Sequence, residues 1–258
     1  MPERIIDFNA DMGEGYGPWR MGDDAAMLDI VTSASIACGG HASDPETMFR
    51  VLSQARERGV TVGAHPGYPD REYFGRRRLP YAPAEIERFV AAQIGALIGI
   101  GRLAGVKIAY VKPHGALGNV AAEERGVADA IARAVRAFDG LAVLAMPGSE
   151  FEAAARAAGL VTYAEIFADR GYTPQGQLVP RSQPGAMIES TEEAAARLLR
   201  FLDTGRMKTV DGGEVPLDAV SICIHGDSDH AVAMARGVRR ALEQAGVTLK
   251  SFLPAERI

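Results

Sequence analysis

Cysteine is almost absent from this sequence, which contains only Cys38 and Cys223 among its 258 residues. Each falls within a predicted strand, so a fold stapled by disulfides is excluded and a reducing compartment fits. Long hydrophobic runs are also missing, and none approaches the roughly 20 residues that a membrane-spanning helix needs. The first residues, MPERIID, lead straight into a predicted strand and leave no room for a signal peptide. We therefore expect a cytoplasmic protein.

Lysine is scarce as well, and none of the lysines follows a glycine, which excludes a Walker A phosphate loop. Two glycine-rich stretches also fail as dinucleotide-binding sites. In the first, which begins at Gly13, Pro18 stands where the third glycine belongs. The second, Gly99 to Ala104, lies within a predicted helix instead of following a strand.

Other signatures of known chemistry are missing too. The sequence has no HExxH or CxxC zinc motif and no GxSxG nucleophile elbow. Its net charge of −5 argues against a nucleic-acid partner and gives no polybasic signal for a membrane surface. What remains is water-based chemistry that uses carboxylate and imidazole groups, with or without a metal.

The residues that are present predict an α/β fold. Hydrophobic residues make up 47% of the chain, enough for a large core, and predicted strands and helices alternate throughout. We expect one domain over residues 1–258, a distorted seven-stranded (β/α) barrel with its polar residues at the carboxyl ends of the strands. The predicted strands cover 4–8, 35–38, 60–64, 108–111, 141–146, 160–168 and 220–224. The predicted helices cover 21–32, 45–58, 82–104, 122–138, 151–158, 191–203 and 230–244. A hairpin over 207–217 and a terminal strand over 247–252 complete the prediction.

The stretch Ile108 to Asn119, IAYVKPHGALGN, is the centre of this pattern. A short apolar strand ends where Pro113 cannot continue the ladder, and Lys112 and His114 stand at its exit. Charged and imidazole groups at the mouth of a buried strand cost desolvation energy unless something there uses them. The structural alternative is a histidine bonded to a loop carbonyl and a lysine that reaches water.

The same pattern recurs at other strand ends. The histidines at predicted strand exits are His41, His65, His114 and His225. The loop after the first strand carries Asn9, Asp11 and Glu14, and Asp227 follows the seventh strand. Because parallel strands present their carboxyl ends at one face of a barrel, we expect these side chains to share an active site.

Two long loops are expected to ring the barrel mouth. Residues 66–80 contain the run Arg76 to Arg78, and residues 169–185 contain Asp169, Arg170 and Arg181. Loops of this length within a compact domain are often lids or binding loops, and arginines can hold an anionic group. The alternative is an ordinary solvated, charged face.

Seven stretches resemble the LamB/YcsF family, which is associated with the A subunit of the bacterial ATP-dependent 5-oxoprolinase. They are DFNADMGEGYG, ACGGHASD, GAHPGYPD, VKPHGALGN, EIFADRGY, LVPRSQPGA and ICIHGD. They occur in the family's order and cover almost the whole chain. Ser43 and Gly118 depart from the pattern, where glycine and tyrosine are expected. The fold of this family resembles the barrel of polysaccharide deacetylases.

The resemblance implies opening of the lactam ring of 5-oxo-L-proline (pyroglutamate) to L-glutamate, driven by ATP, together with partner subunits B and C. ATP would be bound mainly by the partners. A divalent metal, if present, would by analogy with the deacetylase barrels be held by Asp11, His41, His65 and His114.

The resemblance also suggests residue roles. Asp11 and His114 are candidates for general base and acid, while His41, His65 and His225 would orient water or hold the metal. Lys112 would stabilise oxyanion or phosphate charge, and Arg170 or Arg181 would bind the substrate carboxylate. The other predicted substrate-binding residues are Asn9, Glu14, Asp169 and Asp227.

Two other functions stay open at the level of sequence. One is a stand-alone, metal-dependent deacetylase or amidohydrolase, which the oxygen-rich first loop and nearby histidines would suit. The other is a non-catalytic protein that binds a sugar or lactam in the barrel mouth.

Overall fold

A computed structural model describes residues 4–225 and 230–255. Its strands are β1 (Arg4–Met12), β2 (Ser33–Ala37), β3 (Thr61–His65), β4 (Ile108–Val111), β5 (Ala142–Ala145), β6 (Thr162–Phe167), β7 (Arg206–Lys208), β8 (Glu214–Pro216), β9 (Ser221–Ile224) and β10 (Val247–Leu249). Its helices are α1 (Asp24–Leu28), α2 (Pro45–Arg58), α3 (Pro83–Ala104), α4 (Gly115–Glu123), α5 (Arg125–Arg136), α6 (Glu150–Ala157), α7 (Thr191–Thr204) and α8 (Ala231–Gln244). Within these ranges, no helix has the length and apolar character that a membrane crossing requires.

Seven parallel strands close into a barrel. Their order is β1, β2, β3, β4, β5, β6 and β9, and β9 pairs back to β1. The closing register places Asp7 beside Ser221 and Ala10 beside Ile224. The short β10 pairs in parallel with the first residues of β1, outside the closed ring. The predicted seven-stranded (β/α) barrel is therefore confirmed, and so is the hairpin, which β7 and β8 form as an antiparallel pair.

The barrel interior is polar at β1. The strand alternates between Asp7, Asn9 and Asp11, which bond to groups inside the barrel, and the fully buried Phe8 and Ala10. Successive side chains of a strand point to opposite faces, so one row of β1 faces the barrel axis and the other faces the helical layer. Asp7 lies deepest and accepts hydrogen bonds from Thr32, Ser33 and Ser221.

The alternating polar residues of β1 explain why the end of this strand was predicted wrongly. The sequence predicted a strand over 4–8 followed by a loop, whereas β1 continues to Met12. Carboxylates and an asparagine at alternate positions resemble a polar loop in sequence, but here they line a polar barrel core. Their hydrogen-bonding partners come from other strands and cannot be read from the local sequence.

Two helix predictions also need correction. The predicted helix over 21–32 is only five residues long, Asp24–Leu28, with Asp23 accepting from the amide of Ala26 at its start. The turn expected after His114 is instead helix α4, which begins at Gly115. Glu124, in an extended conformation, separates α4 from α5, where one helix over 122–138 was predicted.

Helix α2 begins and ends as its sequence predicts. Asp44 accepts a hydrogen bond from the amide of Thr47, and Pro45 occupies the first helical position. Gly59, at a φ of 67°, closes the helix in the left-handed conformation. This geometry fixes the preceding loop, residues 38–44, against the carboxyl end of β2.

Candidate active site at the barrel mouth

A pocket of about 360 Å³ opens at the carboxyl ends of the strands. The residues at its base come from five strand ends and are Asp11, His65, Lys112, His114, Glu165 and His225. Arg76 from the first long loop and Arg181 from the second also line it. The predicted convergence is therefore observed for Asp11, His65, Lys112, His114 and His225, and both long loops border the pocket as predicted. Asp227 lies outside the described residues.

Lys112 is held at the centre of a group of acceptors. Its Nζ lies 2.9 Å from Asp11 Oδ1, 3.1 Å from Glu165 Oε2, 3.3 Å from Asn9 Oδ1 and 3.0 Å from Cys223 Sγ. Burial lowers the pKa of Lys112, but the negative charges around it outweigh this effect and raise the pKa well above its ordinary value. The ammonium group is thus bound to protein acceptors, and its predicted contact with a substrate oxyanion stays a prediction.

Glu165 belongs to the pocket but was not among the predicted site residues. It is 2% exposed, and its Oε2 accepts from both Lys112 Nζ and Asn9 Nδ2. Burial raises its pKa, while Lys112 opposes the shift. A signal was available, because a carboxylate within an otherwise buried strand needs a partner. Asn9 supports this network from inside the barrel, and its predicted role in substrate binding stays a prediction.

Asp11 is the ionised carboxylate of the site. Burial alone would raise its pKa, but interactions with His65 and Lys112 prevail and hold the pKa well below its usual value. One oxygen, Oδ1, meets Lys112, and the other, Oδ2, lies 3.2 Å from His65 Nε2. A fixed carboxylate at the edge of a pocket can accept a proton from water.

Three imidazoles pack together beside Asp11. His65 Nε2 lies 3.0 Å from His114 Nδ1, and the ring of His41 stacks on that of His114 at 3.6 Å between centroids. His41 Nε2 lies 3.2 Å from Glu14 Oε1. Burial lowers the pKa values of both His41 and His114, and the neighbouring imidazoles lower them further. Glu14 is thus part of the histidine cluster, and its predicted role in substrate binding stays a prediction.

The imidazole stack depends on two glycines of the first long loop. A Cβ atom at Gly67 would lie 2.6 Å from His41 Nδ1, and one at Gly75 would lie 2.7 Å from His41 Cβ. Between these glycines, Phe74 contacts both stacked rings edge-on and adopts a φ of 56°. Only backbone can approach the histidines at Gly67 and Gly75, so the loop fixes the positions of the rings.

His225 stands apart from this cluster and pairs with Asp169. Its Nδ1 donates to Asp169 Oδ2 at 2.7 Å, and its ring stacks on Phe167. Burial would raise the pKa of Asp169, but His225 lowers it, so the carboxylate is ionised. Since Nδ1 is engaged, Nε2 is the ring nitrogen left for the pocket. Asp169 therefore orients His225, and its predicted contact with substrate stays a prediction.

The two arginines of the second long loop differ. Arg170 is 4% exposed, and its guanidinium donates to the carbonyls of Ala186 and Val179. These bonds hold the loop together, but Arg170 also lines the pocket, and its predicted role in binding a substrate carboxylate stays a prediction. Arg181 lies on the exposed side of the loop and lines the pocket.

The two departures from the family pattern have different surroundings. Ser43 is fully buried at a φ of 77°, a conformation that favours glycine. Gly118 lies on the pocket wall, where a Cβ atom would stand 2.8 Å from the carbonyl oxygen of Pro113. A side chain at position 118 would therefore require the turn before α4 to shift.

Chemically, the pocket combines a base and an acid. Asp11 can remove a proton from water, and His225 can supply one to a leaving atom. Together with the closed sheet, this defines the class: a seven-stranded (β/α)-barrel protein with a candidate acid–base site at the carboxyl ends of its strands.

The chain belongs to the LamB/YcsF family, whose model matches residues 6–257. It is 52% identical over 250 residues to the 5-oxoprolinase A subunit of Azorhizobium caulinodans, covering 96% of this chain and 99% of that protein. It is 51% identical to a 5-oxoprolinase A subunit of Pseudomonas syringae, covering 96% and 98%. The crystal structure of a lactam utilization protein from Thermus thermophilus superimposes with a TM-score of 0.91 at 45% identity, covering 96% of this chain and 100% of that one.

Proposed function

We propose that this chain is the ring-opening subunit of an ATP-dependent 5-oxoprolinase, which converts 5-oxo-L-proline to L-glutamate. The observation that carries the proposal is the 52% identity, over nearly the full length of both chains, to a protein named as the A subunit of that enzyme. The pocket supports the proposal because it contains a fixed carboxylate and an oriented histidine, the two groups that hydrolysis of an amide uses.

In this proposal Asp11 acts as the general base. It takes a proton from water as the water oxygen bonds to the lactam carbonyl carbon, and Lys112 holds its Oδ1 in place. The role of Lys112 is therefore to position Asp11 and keep it ionised. His114, predicted from sequence as the acid, has its Nε2 against the carbonyl of Phe74 and is poorly placed to give up a proton there.

His225 acts as the general acid. As the C–N bond of the ring breaks, the imidazolium of His225 donates the Nε2 proton to the departing nitrogen, which becomes the amine of glutamate. Asp169 stabilises that imidazolium through the bond to Nδ1. Loss of a proton from Asp11 to solvent and uptake of one by His225 restore the site.

Partner subunits B and C supply the ATP chemistry. The sequence has no Walker A loop, and the relatives' names as A subunits imply further subunits. An unstrained lactam gives little driving force for hydrolysis, so the coupling to ATP must be made in the complex. The two long loops at the mouth are the surfaces through which an activated substrate would enter.

The test is to measure ATP consumption and glutamate formation with this chain alone, with B and C together, and with all three. We expect glutamate to form only with all three. ATP-coupled ring opening by the isolated chain would contradict the assignment of ATP to the partners. Release of acetate from N-acetyl sugars by the isolated chain, with no ring opening in the complex, would instead favour the deacetylase.

A further inference from the structure

We propose that Glu14, His65 and His114 form a divalent transition-metal site at the base of the pocket. The reason is the direction of hydrogen bonds in the histidine cluster, which leaves electron pairs facing one another. The inference stands apart from the ring-opening proposal, because its test measures metal binding and does not depend on the substrate.

The tautomer of His65 is fixed by the backbone. Its Nδ1 lies 2.7 Å from the carbonyl oxygen of Lys112. A carbonyl oxygen can only accept, so Nδ1 carries the hydrogen. In a neutral ring, Nε2 is then unprotonated and presents its electron pair to the centre of the cluster.

The backbone also fixes the tautomer of His114, but it places the hydrogen on the other ring nitrogen. Its Nε2 lies 2.8 Å from the carbonyl oxygen of Phe74, so Nε2 carries the hydrogen and Nδ1 presents an electron pair. Backbone carbonyls that accept the outer N–H of a histidine are the usual means of orienting metal-binding imidazoles.

The electron pairs of the two unprotonated ring nitrogens face a common point. His65 Nε2 and His114 Nδ1 are 3.0 Å apart, and Glu14 Oε1 lies 3.4 Å from His114 Nδ1. Asp11 Oδ2 adds a fourth acceptor 3.2 Å from His65 Nε2. With both rings neutral, His65 Nε2, His114 Nδ1 and Asp11 Oδ2 face one another without a hydrogen between them, which is unfavourable unless a cation lies there.

The spacing fits a small metal ion. Zinc bonds of about 2.0–2.1 Å in a tetrahedron place ligand atoms about 3.3 Å apart, close to the separations within the cluster. The ligating atoms of Glu14, His41, His65 and His114 all lie within 4.8 Å of one another. Two imidazoles and one carboxylate suit zinc, cobalt or nickel better than magnesium or calcium. Three protein ligands leave a position open, as catalytic metal sites do.

This set differs from the four residues expected from sequence. Glu14 replaces Asp11, whose Oδ1 is engaged by Lys112. His41 becomes an orienting residue: its Nε2 donates to Glu14 Oε1, and its ring stacks on His114. Its Nδ1 has no hydrogen-bond partner among the described residues and lies close to the backbone at Gly67, outside the cluster centre.

The experiment uses the full chain, stripped with a chelator and dialysed, and then titrated with Zn²⁺ or Co²⁺. Calorimetry and elemental analysis give affinity and stoichiometry, and the visible absorption of Co²⁺ reports its coordination. We expect one ion per chain in the wild type. Glu14→Gln and His114→Asn should weaken binding by more than 100-fold, and His41→Asn by roughly 10–100-fold, as an orienting partner does.

Two histidine variants serve as controls. His225→Asn alters the same pocket outside the cluster, and His230→Asn alters an exposed histidine at the start of α8. Both should bind metal as the wild type does. Circular dichroism of every variant separates loss of ligand from loss of fold, and Glu14→Gln preserves shape while it removes charge.

A proton in place of the metal would overturn the proposal. If His65 Nε2 carries a hydrogen, the ring is an imidazolium that donates to His114 and Asp11. Nitrogen-15 NMR of the stripped chain at pH 7 distinguishes a protonated from an unprotonated Nε2. An imidazolium at His65, with no ion bound at micromolar Zn²⁺, would refute the metal site. Equal binding by wild type and Glu14→Gln would refute the ligand set.

Discussion

Nδ1 of His225 lies 2.7 Å from Oδ2 of Asp169, and His225 lines the same pocket as His65 and His114. If Asp169 stabilises the imidazolium of His225, then Asp169→Asn should lower kcat of ring opening by roughly 10–10³-fold, within the range for a perturbed general acid. KM should change little, because Asp169 acts on the reaction through His225 and does not touch the substrate in this proposal.

The separate effects on kcat and KM are the readout that distinguishes a positioning role from a merely structural one. Steady-state glutamate release by the three-subunit complex, measured over a range of 5-oxo-L-proline concentrations, gives both constants. An unchanged kcat with a raised KM in Asp169→Asn would argue that the pair only supports the second long loop.

Lys112 should be a large contributor to stability. Lys112→Met leaves Asp11 and Glu165 buried without their shared cation, so we expect the free energy of unfolding to fall by about 3–5 kcal/mol. Urea denaturation followed by circular dichroism measures it. Lys107→Met, on an exposed position just before β4, is the matched control and should change stability by less than about 0.5 kcal/mol. A loss as small for Lys112→Met as for Lys107→Met would show that the buried network contributes little to the free energy of unfolding.

Ser43 should be a site where the chain is easily stabilised. Its φ of 77° is costly for a residue with a Cβ, and its buried Oγ has no hydrogen-bond partner among the described residues. Ser43→Gly should raise the free energy of unfolding by about 1 kcal/mol, after the entropy cost of glycine. Ser53→Gly, inside α2, should lower it by about 0.5 kcal/mol. A destabilised Ser43→Gly protein would mean that the hydroxyl has a favourable role.

Asp7 should make the fold less stable as pH rises. Burial raises its pKa from 3.8 to about 6, although hydrogen bonds from Ser221, Thr32 and Ser33 oppose the shift. Between these values the folded state keeps a proton that the unfolded state has lost, so stability falls with pH through this window. The shift in pKa corresponds to a contribution of about 3 kcal/mol to the free energy of unfolding. This contribution is fully present below about pH 4 and is lost above about pH 6.

The comparison with Asp7→Asn isolates this contribution. Unfolding free energies of both proteins are measured from pH 4 to pH 7. The free energy of unfolding of the variant minus that of the wild type should rise by about 3 kcal/mol from pH 4 to pH 7, because asparagine does not titrate. A constant difference across the range would show that Asp7 has an ordinary pKa in the folded protein.

Much of the fold could be predicted because its signals are local. The apolar runs at β4, β5 and β9 and the capped start of α2 contain their own evidence. The length of β1 could not be predicted, since Asp7, Asn9 and Asp11 look like loop residues until their partners on other strands are known. Helix α4 was missed because Pro113, Gly115 and Gly118 together resemble a turn.

The location of the site could be predicted from the sequence, but the contacts of its side chains could be predicted only in part. Histidines at strand exits indicated a shared mouth, and His65, His114 and His225 do line it. Which ring nitrogen of each histidine faces the pocket depends on tertiary contacts. Examples are the carbonyl oxygen of Lys112, which fixes His65, and the carboxylate of Asp169, which orients His225. Glu165, inside β6, was overlooked because a single carboxylate in a strand has no sequence motif.

Our central claim is that the lactam ring is opened in this pocket, with Asp11 as the base. The most direct test replaces this chain by its Asp11→Asn variant in the three-subunit complex and measures glutamate formed from 5-oxo-L-proline. The variant should still fold and associate with its partners, while glutamate formation falls by roughly 10²–10⁴-fold, the range for loss of one acid–base group. Wild-type glutamate formation by a complex shown to contain the Asp11→Asn chain would contradict the claim.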